Sequence, residues 1–370
     1  MPVRVAVAMS GGVDSLRAAA LLRHQGDDVI ALHMRLLPDS PNLRWDAETS
    51  LRTRENSLRT LAAGLEIPLY IVELRAAFDI LVIQPFVAAY QRGLTPNPCI
   101  VCNPRIKFGL LLDEARRLGV DRLATGHYAR LQAPDEQHPR FRLQRGRDPA
   151  KDQSYFLYGL TQDQLAAAAF PVGNDCKREV QRWAEENGFA DQVPEESQEI
   201  CFIPAGHYRE FLEERLGPGF SSQQGDIVDL QGTVLGRHMG ITRYTVGQRR
   251  GLGLASSAPY YVVALDSETN RVVVGRAANL YRQELTAAEV NWLAIDPPSQ
   301  PLRCQVRIRN QHQPAPAELT PKGKNEVLVR FDEPQRAVTP GQAAVFYDQD
   351  LVLGGGIITR EPQAGSRSVA

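Results

Sequence analysis

The chain lacks an apolar run long enough to span a membrane, so no transmembrane segment is read from it. Its N-terminus also lacks the charged, apolar and small-residue pattern of a signal peptide, and a cytoplasmic protein is the expectation. Cysteine is scarce: the five present are an odd number, which argues against a disulfide scaffold, so each is judged singly as a thiol. Excess charge of one sign is missing too. The formal net charge is -1, so any nucleic-acid surface must be a local basic patch and not a global field. Internal repeats and low-complexity tracts are absent, which excludes a solenoid and a disordered chain. What remains is 370 residues with 43% hydrophobic and 23% charged content, enough for two or three domains with a sizeable core.

The most informative stretch is at the start. Val3, Val5 and Val7 read as a buried strand. Ser10-Gly11-Gly12 then turns the chain, and Val13, Leu16, Ala20 and Leu21 follow at helical spacing. Two glycines let backbone approach a ligand closely, and a helix N-terminus offers unpaired N–H groups. With the hydroxyls of Ser10 and Ser15, that geometry suits a pyrophosphate. No Gly-Lys-Ser/Thr follows, so the loop is not a Walker A motif. The third glycine of a dinucleotide fingerprint is missing as well. Ser-Gly-Gly-Val-Asp-Ser resembles the loop of ATP pyrophosphatases, which cut ATP into AMP and pyrophosphate. Asp14 carries the wrong charge to hold an anion and is expected to bind Mg²⁺ that bridges the phosphates.

Strands and helices alternate through the first half. Strands are predicted at 28–34, 68–74 and 121–125, and helices at 45–64, 76–91 and 106–118, with Pro85 expected to kink the second. This pattern predicts a doubly wound parallel sheet whose ligands bind beyond the carboxyl ends of the strands. The loop at 9–15, Met34 and Gly126-His127-Tyr128 should then share one crevice, although spacing alone favours a core role for Met34. Residues 92–107 hold three prolines, which are expected to forbid a helix, and they read as a functional loop. Helical segments are expected at 161–168 and 177–188. From about residue 206 short apolar pairs and glycines suggest a small, mostly β domain, with a hairpin over 259–275 that turns near 268–270. From 281 to 361 short alternating strands carry a β-barrel signature, with Val306 and Ile308 on one face and Gln305, Arg307 and Arg309 on the other. The expected domains are 1–205, 206–278 and 279–362, with a disordered tail at 363–370.

Cys102 sits in the Pro-rich segment with Arg105 and Lys107 close by, and cations lower a thiol's pKa. Cys201 lies about a hundred residues on, before Phe202-Ile203. Cys176 and Cys304 lack such flanks and read as structural.

At these residues the chain resembles the bacterial tRNA-uridine 2-sulfurtransferases, the tRNA-specific 2-thiouridylase family, over nearly its full length. The resemblance rests on the glycine loop together with TPNPCIVCN at 95–103, IKFG at 106–109, ATGHYAR at 124–130, KDQSYFLY at 151–158, ICFI at 200–203, GQRRGLG at 247–253 and PGQAAVFY at 340–347. It implies ATP-dependent 2-thiolation of the wobble uridine of tRNA: ATP adenylates the C2 oxygen and sulfur from a cysteine persulfide displaces AMP. Cys201 would carry the persulfide, Cys102 would be the nucleophile, and a disulfide between them would remain to be reduced. ATP contacts would fall on Ala8, Met9, Ser10, Gly11, Gly12, Val13, Asp14, Ser15, Met34 and Gly126. Contacts with tRNA would fall on Asn97, Pro98, Cys99, His127, Lys151, Asp152, Gln153, Arg309, Asn310 and Gln342. The implied cofactors are ATP and Mg²⁺. The partners are a tRNA and a persulfide donor, either a cysteine desulfurase or a sulfur-relay carrier. Two positions depart from the family pattern. Many relatives carry aspartate where this chain has Cys99, and often Arg-Tyr where it has Arg309-Asn310.

Three rival readings follow from the same residues. Cys99, Cys102 and Cys201 could instead hold an iron–sulfur cluster or zinc, in a thiolase of the same loop family. A small-molecule amidating ligase would keep the loop but call for a glutaminase domain, which the sequence does not display. A non-catalytic RNA-binding protein would leave the glycine loop unexplained.

Overall fold

The structure is a computed structural model that describes residues 3–37, 47–194, 200–203, 207–217, 223–323 and 325–360, with backbone alone at 47–51. The expected tail at 363–370 and Ser197–Glu199 ahead of Cys201 lie outside the described residues. The chain forms two compact units. The first comprises residues 1–84, 98–206 and 350–352, and the second 85–97, 207–349 and 353–370.

The first unit is built on five parallel strands: β1 (Arg4–Ala8), β2 (Asp28–Arg35), β3 (Leu69–Glu73), β4 (Arg122–Ala124) and a short Ala168–Ala169 strand. Their order is β3-β2-β1-β4 followed by that short strand, so β1 sits centrally and the sheet changes winding direction beside it. Val5, Val7 and Met9 are buried against Leu16, Ala18, Ala19 and Leu22 of helix α1 (Val13–His24) and against Leu58, Leu61 and Leu65. The β-branched run thus becomes a strand covered by the apolar stripe of the helix that follows it. The topology places the ends of β1, β2 and β4 beside one another, where ligands of such sheets bind.

Pro85 has a specific local effect. Arg75–Phe78 is α-helical, Asp79–Ile83 widens into a π-turn, and Gln84–Gln91 is α-helical again. Proline lacks an N–H and its ring clashes with the carbonyl four residues back, and the wider turn relieves both.

The Pro-rich segment is where the structure corrects the sequence. Pro98–Cys102 is α-helical (helix α2) and Asn103–Leu111 continues it as a π-helix. Pro98 occupies the first helical position, where its missing N–H costs nothing. Pro104 opens the wide turn. The carbonyls of Pro104 and Phe108 accept hydrogen bonds from Gln164 Nε2 at 2.7 and 3.0 Å. Prolines in this spacing start and widen a helix instead of forbidding one.

The second unit contains two β assemblies. Four strands, Gly225–Val228, Val234–His238, Tyr261–Asp266 and Arg271–Gly275, form one sheet over a core of Ile227, Val262, Leu265, Val272 and Val274. The last two pair antiparallel as the expected hairpin, with Asn270 in the left-handed region at its turn. Six further strands between Tyr281 and Ile358 close into a barrel, because the first pairs with the last. Val306 and Ile308 point into its core, and Arg307 is buried as well, its guanidinium donating to the Asn310 carbonyl.

Candidate active site

The glycine loop lies at the end of β1. Gly11 adopts φ +90, a conformation that a side chain would strain, and Gly12 caps α1 with extended backbone. Ser15 Oγ donates to the Gly12 carbonyl at 2.9 Å and accepts from Ser10 N–H at 3.2 Å, which ties the loop to the first turn of the helix. Gly126, just past β4, packs against this loop. A Cβ there would stand 2.7 Å from Asp14 C and Ser15 N, so only glycine fits.

A cavity of about 340 Å³ opens above these strand ends. Of the residues singled out for ATP, Ala8, Met9, Ser10, Asp14, Ser15, Met34 and Gly126 line it, whereas Gly11, Gly12 and Val13 shape the loop without lining it. Met34 is half-buried and faces the cavity, where spacing alone favoured the core.

Cys99, Cys102, Asn103 and Lys107 line the same cavity. Their spacing of i, i+3, i+4 and i+8 is one face of the helix that the prolines begin. Cys201 reaches the cavity from a different segment, with Phe202 edge-on to Phe78 at 5.5 Å between ring centres. The two cysteines expected to share the chemistry therefore face one space.

The Cys102 thiol is not activated as its flanks suggested, and its neighbours are raised as well. Burial pushes the Cys102 thiol up to about 12, and Lys107 offsets this only in part. Burial and the neighbouring Cys99 push Cys201 up to about 11, although its side chain is open to the cavity. Cys99 is likewise raised by burial and lowered by Lys107. Arg105, also expected to help, is exposed and lies outside the cavity lining.

His127 lines the cavity and is held from both sides. Lys107 Nζ donates to its Nε2 at 3.3 Å, and its Nδ1–H donates to Thr125 Oγ1 at 2.7 Å. An ammonium has no lone pair, so this network requires the neutral imidazole with its proton on Nδ1. Burial, seconded by Lys107, holds the His127 pKa well below its usual value, in agreement with that tautomer.

Asp14 is engaged by Tyr128, which the sequence placed in this crevice, and by Lys177, which it did not single out. Lys177 Nζ donates to both of its carboxylate oxygens at 2.7 and 2.8 Å, and Tyr128 OH donates to Oδ1 at 2.7 Å. A carboxylate already neutralised by a buried lysine does not fit the role of a Mg²⁺ ligand expected of it. Among the described residues, no three His, Cys, Asp or Glu side chains converge to hold a metal ion, and the cluster reading of Cys99, Cys102 and Cys201 is not favoured.

The residues expected to touch tRNA are divided. Pro98, Cys99, His127 and Gln153 line the cavity, and Gln153 accepts the Tyr128 N–H at 3.1 Å. Lys151 and Asp152 belong to the same unit but do not line it. The Asp152 carboxylate is buried and accepts the N–H groups of Gly146 and Ser154, each at 3.1 Å. Asn97, Arg309, Asn310 and Gln342 lie in the second unit, where Gln342 Nε2 donates to the Thr95 carbonyl at 2.7 Å. Lys177, Arg54, His33 and Thr125 were missed. Lys177 is 163 positions from its partner, and no local pattern marks such a pair.

Three family models match in order: a tRNA methyl transferase HUP domain at residues 3–205, a tRNA methyl transferase PRC-barrel domain at 209–276 and an aminomethyltransferase beta-barrel domain at 282–358. The chain is 48% identical over 360 residues to the tRNA-specific 2-thiouridylase MnmA of Geobacter metallireducens, covering 96% of each chain. It is 45% identical over 359 residues to the protein of that name from Gloeothece citriformis, covering 96% of this chain and 99% of the relative. With identities of this size over nearly the whole length, the chain belongs to the tRNA-specific 2-thiouridylase family.

Proposed function

We propose that the protein is a tRNA-uridine 2-sulfurtransferase that acts on the wobble uridine and consumes ATP. The observation that carries this reading is the shared cavity: a phosphate-shaped loop and two cysteines from distant segments face one space. A methyl-transfer reading drawn from the family models' descriptions would leave both features without a task.

ATP, with Mg²⁺ as part of the nucleotide substrate, is bound at the glycine loop. The uridine C2 oxygen attacks the α-phosphorus and pyrophosphate leaves, so C2 now bears AMP as a leaving group. A persulfide on Cys201 supplies sulfur. Its terminal sulfur bonds to C2, directly or after release by Cys102, and AMP departs. When Cys102 Sγ attacks Cys201 Sγ, the S–S bond to the transferred sulfur breaks and 2-thiouridine is freed. The disulfide left behind is reduced by an external dithiol before the next turnover. The sulfur comes from a persulfide donor, a cysteine desulfurase or a relay carrier, and the reaction takes place in the cytoplasm. No helix of the described residues is long and apolar enough to cross a membrane.

Cys201→Ser and Cys102→Ser separate the two halves. Both variants are expected to adenylate tRNA and release pyrophosphate. Cys201→Ser should carry no persulfide, and Cys102→Ser should load it without delivering it. Alkylation trapping followed by peptide mass analysis locates the sulfur. Sulfur found on Cys102 or Cys99 with Cys201 unmodified overturns the assignment, and full 2-thiouridine formation by Cys201→Ser removes that residue from the mechanism.

A further inference from the structure

The charges around the cavity do not balance. Asp14 is spent on Lys177, Arg35 is paired with Glu55 at 2.6 Å, and His33 and His127 are held neutral by burial. Among the described residues this leaves two lining cations, Lys107 and Arg54, with no carboxylate partner. Arg54 is exposed and reaches solvent. Lys107 is half-buried, and its single hydrogen bond among the described residues goes to a neutral imidazole. An ammonium in such a setting has donors to spare for an anion.

Its place identifies the anion. Lys107 shares one helical face with Cys99 and Cys102, and Cys201 faces the same cavity. The π-helix matters here. Its wider turn sets Lys107 on the lining face five positions after Cys102, and Asn103 Nδ2 anchors that turn to the Phe156 carbonyl at 2.9 Å. His127, steadied by Thr125, fixes the ammonium without competing for its charge.

We infer that Lys107 is a positioning residue for sulfur anions, holding the Cys102 thiolate and the Cys201 persulfide anion in turn, with neutral His127 as its support. The proposal deepens the sulfur-transfer reading and rests on it. The groups facing these sulfurs are Lys107, Arg54, His127 and the three cysteines themselves. Of these, Lys107 is the one cation that acts on all three thiols.

The test uses the full chain without ATP or tRNA. Iodoacetamide alkylation of Cys102 and Cys201 is followed against pH by peptide mass analysis in wild type, Lys107→Met and Lys107→Arg. A lost cation raises both thiol pKa values and so shrinks the thiolate fraction. At pH 8 to 9 Lys107→Met should therefore be alkylated at least about tenfold more slowly at each cysteine. Lys107→Arg should stay near wild type. A Lys107→Met profile that matches wild type at both cysteines overturns the proposal. So does equal slowing in Lys107→Arg, since charge would then not be the cause. If Lys107→Met does not fold by circular dichroism, Lys107→Gln is judged by the same criteria. Failure of the sulfur-transfer reading shows separately, as 2-thiouridine formation by Cys201→Ser.

Discussion

The two ends of the cavity solve opposite problems. At the glycine loop the side chains are already tied down: hydroxyls hold the backbone turn, and a buried lysine neutralises Asp14. That end is preorganised, so a nucleotide meets a finished surface. At the cysteine end the groups are held back. Burial pushes two thiols to about 12 and 11, far from the thiolate form at neutral pH. A rigid phosphate site gains by being complete before its ligand arrives, because no reorganisation is then needed. A sulfur site gains by keeping its nucleophile protonated until charge and substrate are both present, because a free thiolate is open to oxidation.

The largest effect expected from breaking this contrast is at the finished end. Asp14→Ala would take from the Lys177 ammonium, whose side chain is 8% exposed, the carboxylate it donates to. Breaking a buried pair from one side costs about 3–5 kcal/mol, and the 26% exposure of Asp14 points to the lower figure. Thermal denaturation should show the loss even without nucleotide, and Lys177→Met should lose a similar amount. An Asp14→Ala protein that melts with wild type would mean the pair is not structural.

Gly126→Ala is expected to cost less stability, about 1–3 kcal/mol, as overpacking does. Its Cβ would collide with the backbone of Asp14 and Ser15, so the loop itself must move. Pyrophosphate release should therefore fall far more than the melting temperature does, while persulfide loading of Cys201 stays intact. If loading falls equally, the two ends are not independent.

The smallest effect expected is the acid-side part of the pH dependence. His33 and His127 in the first unit, and His238 and His312 in the second, have pKa values lowered by burial below 6.5. The unfolded chain then binds protons that the folded one refuses, so this stability is full above about pH 6.5 and is lost on acidification. Cys102, Cys201 and Cys304 act in the other direction. Their raised values hold stability below pH 9, and it is lost toward 11 to 12. Equilibrium denaturation across pH should give a plateau between about 7 and 9 with a fall on each side. A tenfold difference in proton affinity between folded and unfolded chain is worth about 1.4 kcal/mol, which sets the scale of the acid-side fall, and the alkaline fall is larger. A flat response below pH 6 would contradict the buried neutral histidines.

The sequence by itself determined the glycine loop, the parallel sheet and the β character of the second half. These follow from local spacing: a β-branched run, a two-glycine turn and a helical stripe each lie within a few residues. It also pointed to Cys102 and Cys201, through short words whose order is specific. The fate of Pro104 was decided elsewhere. Whether a proline starts a helix or breaks one depends on what satisfies the carbonyls around it, and Gln164, sixty positions from Pro104, does that here. The same holds for Asp14. Its residue type suggested a metal, but tertiary structure brings Lys177 and Tyr128 onto it from positions 163 and 114 residues away. The thiols follow the same rule. Cations flanking Cys102 suggested a low pKa there, whereas the dense shell that only folding assembles raises it, because desolvation penalises the charged form more than one lysine relieves it.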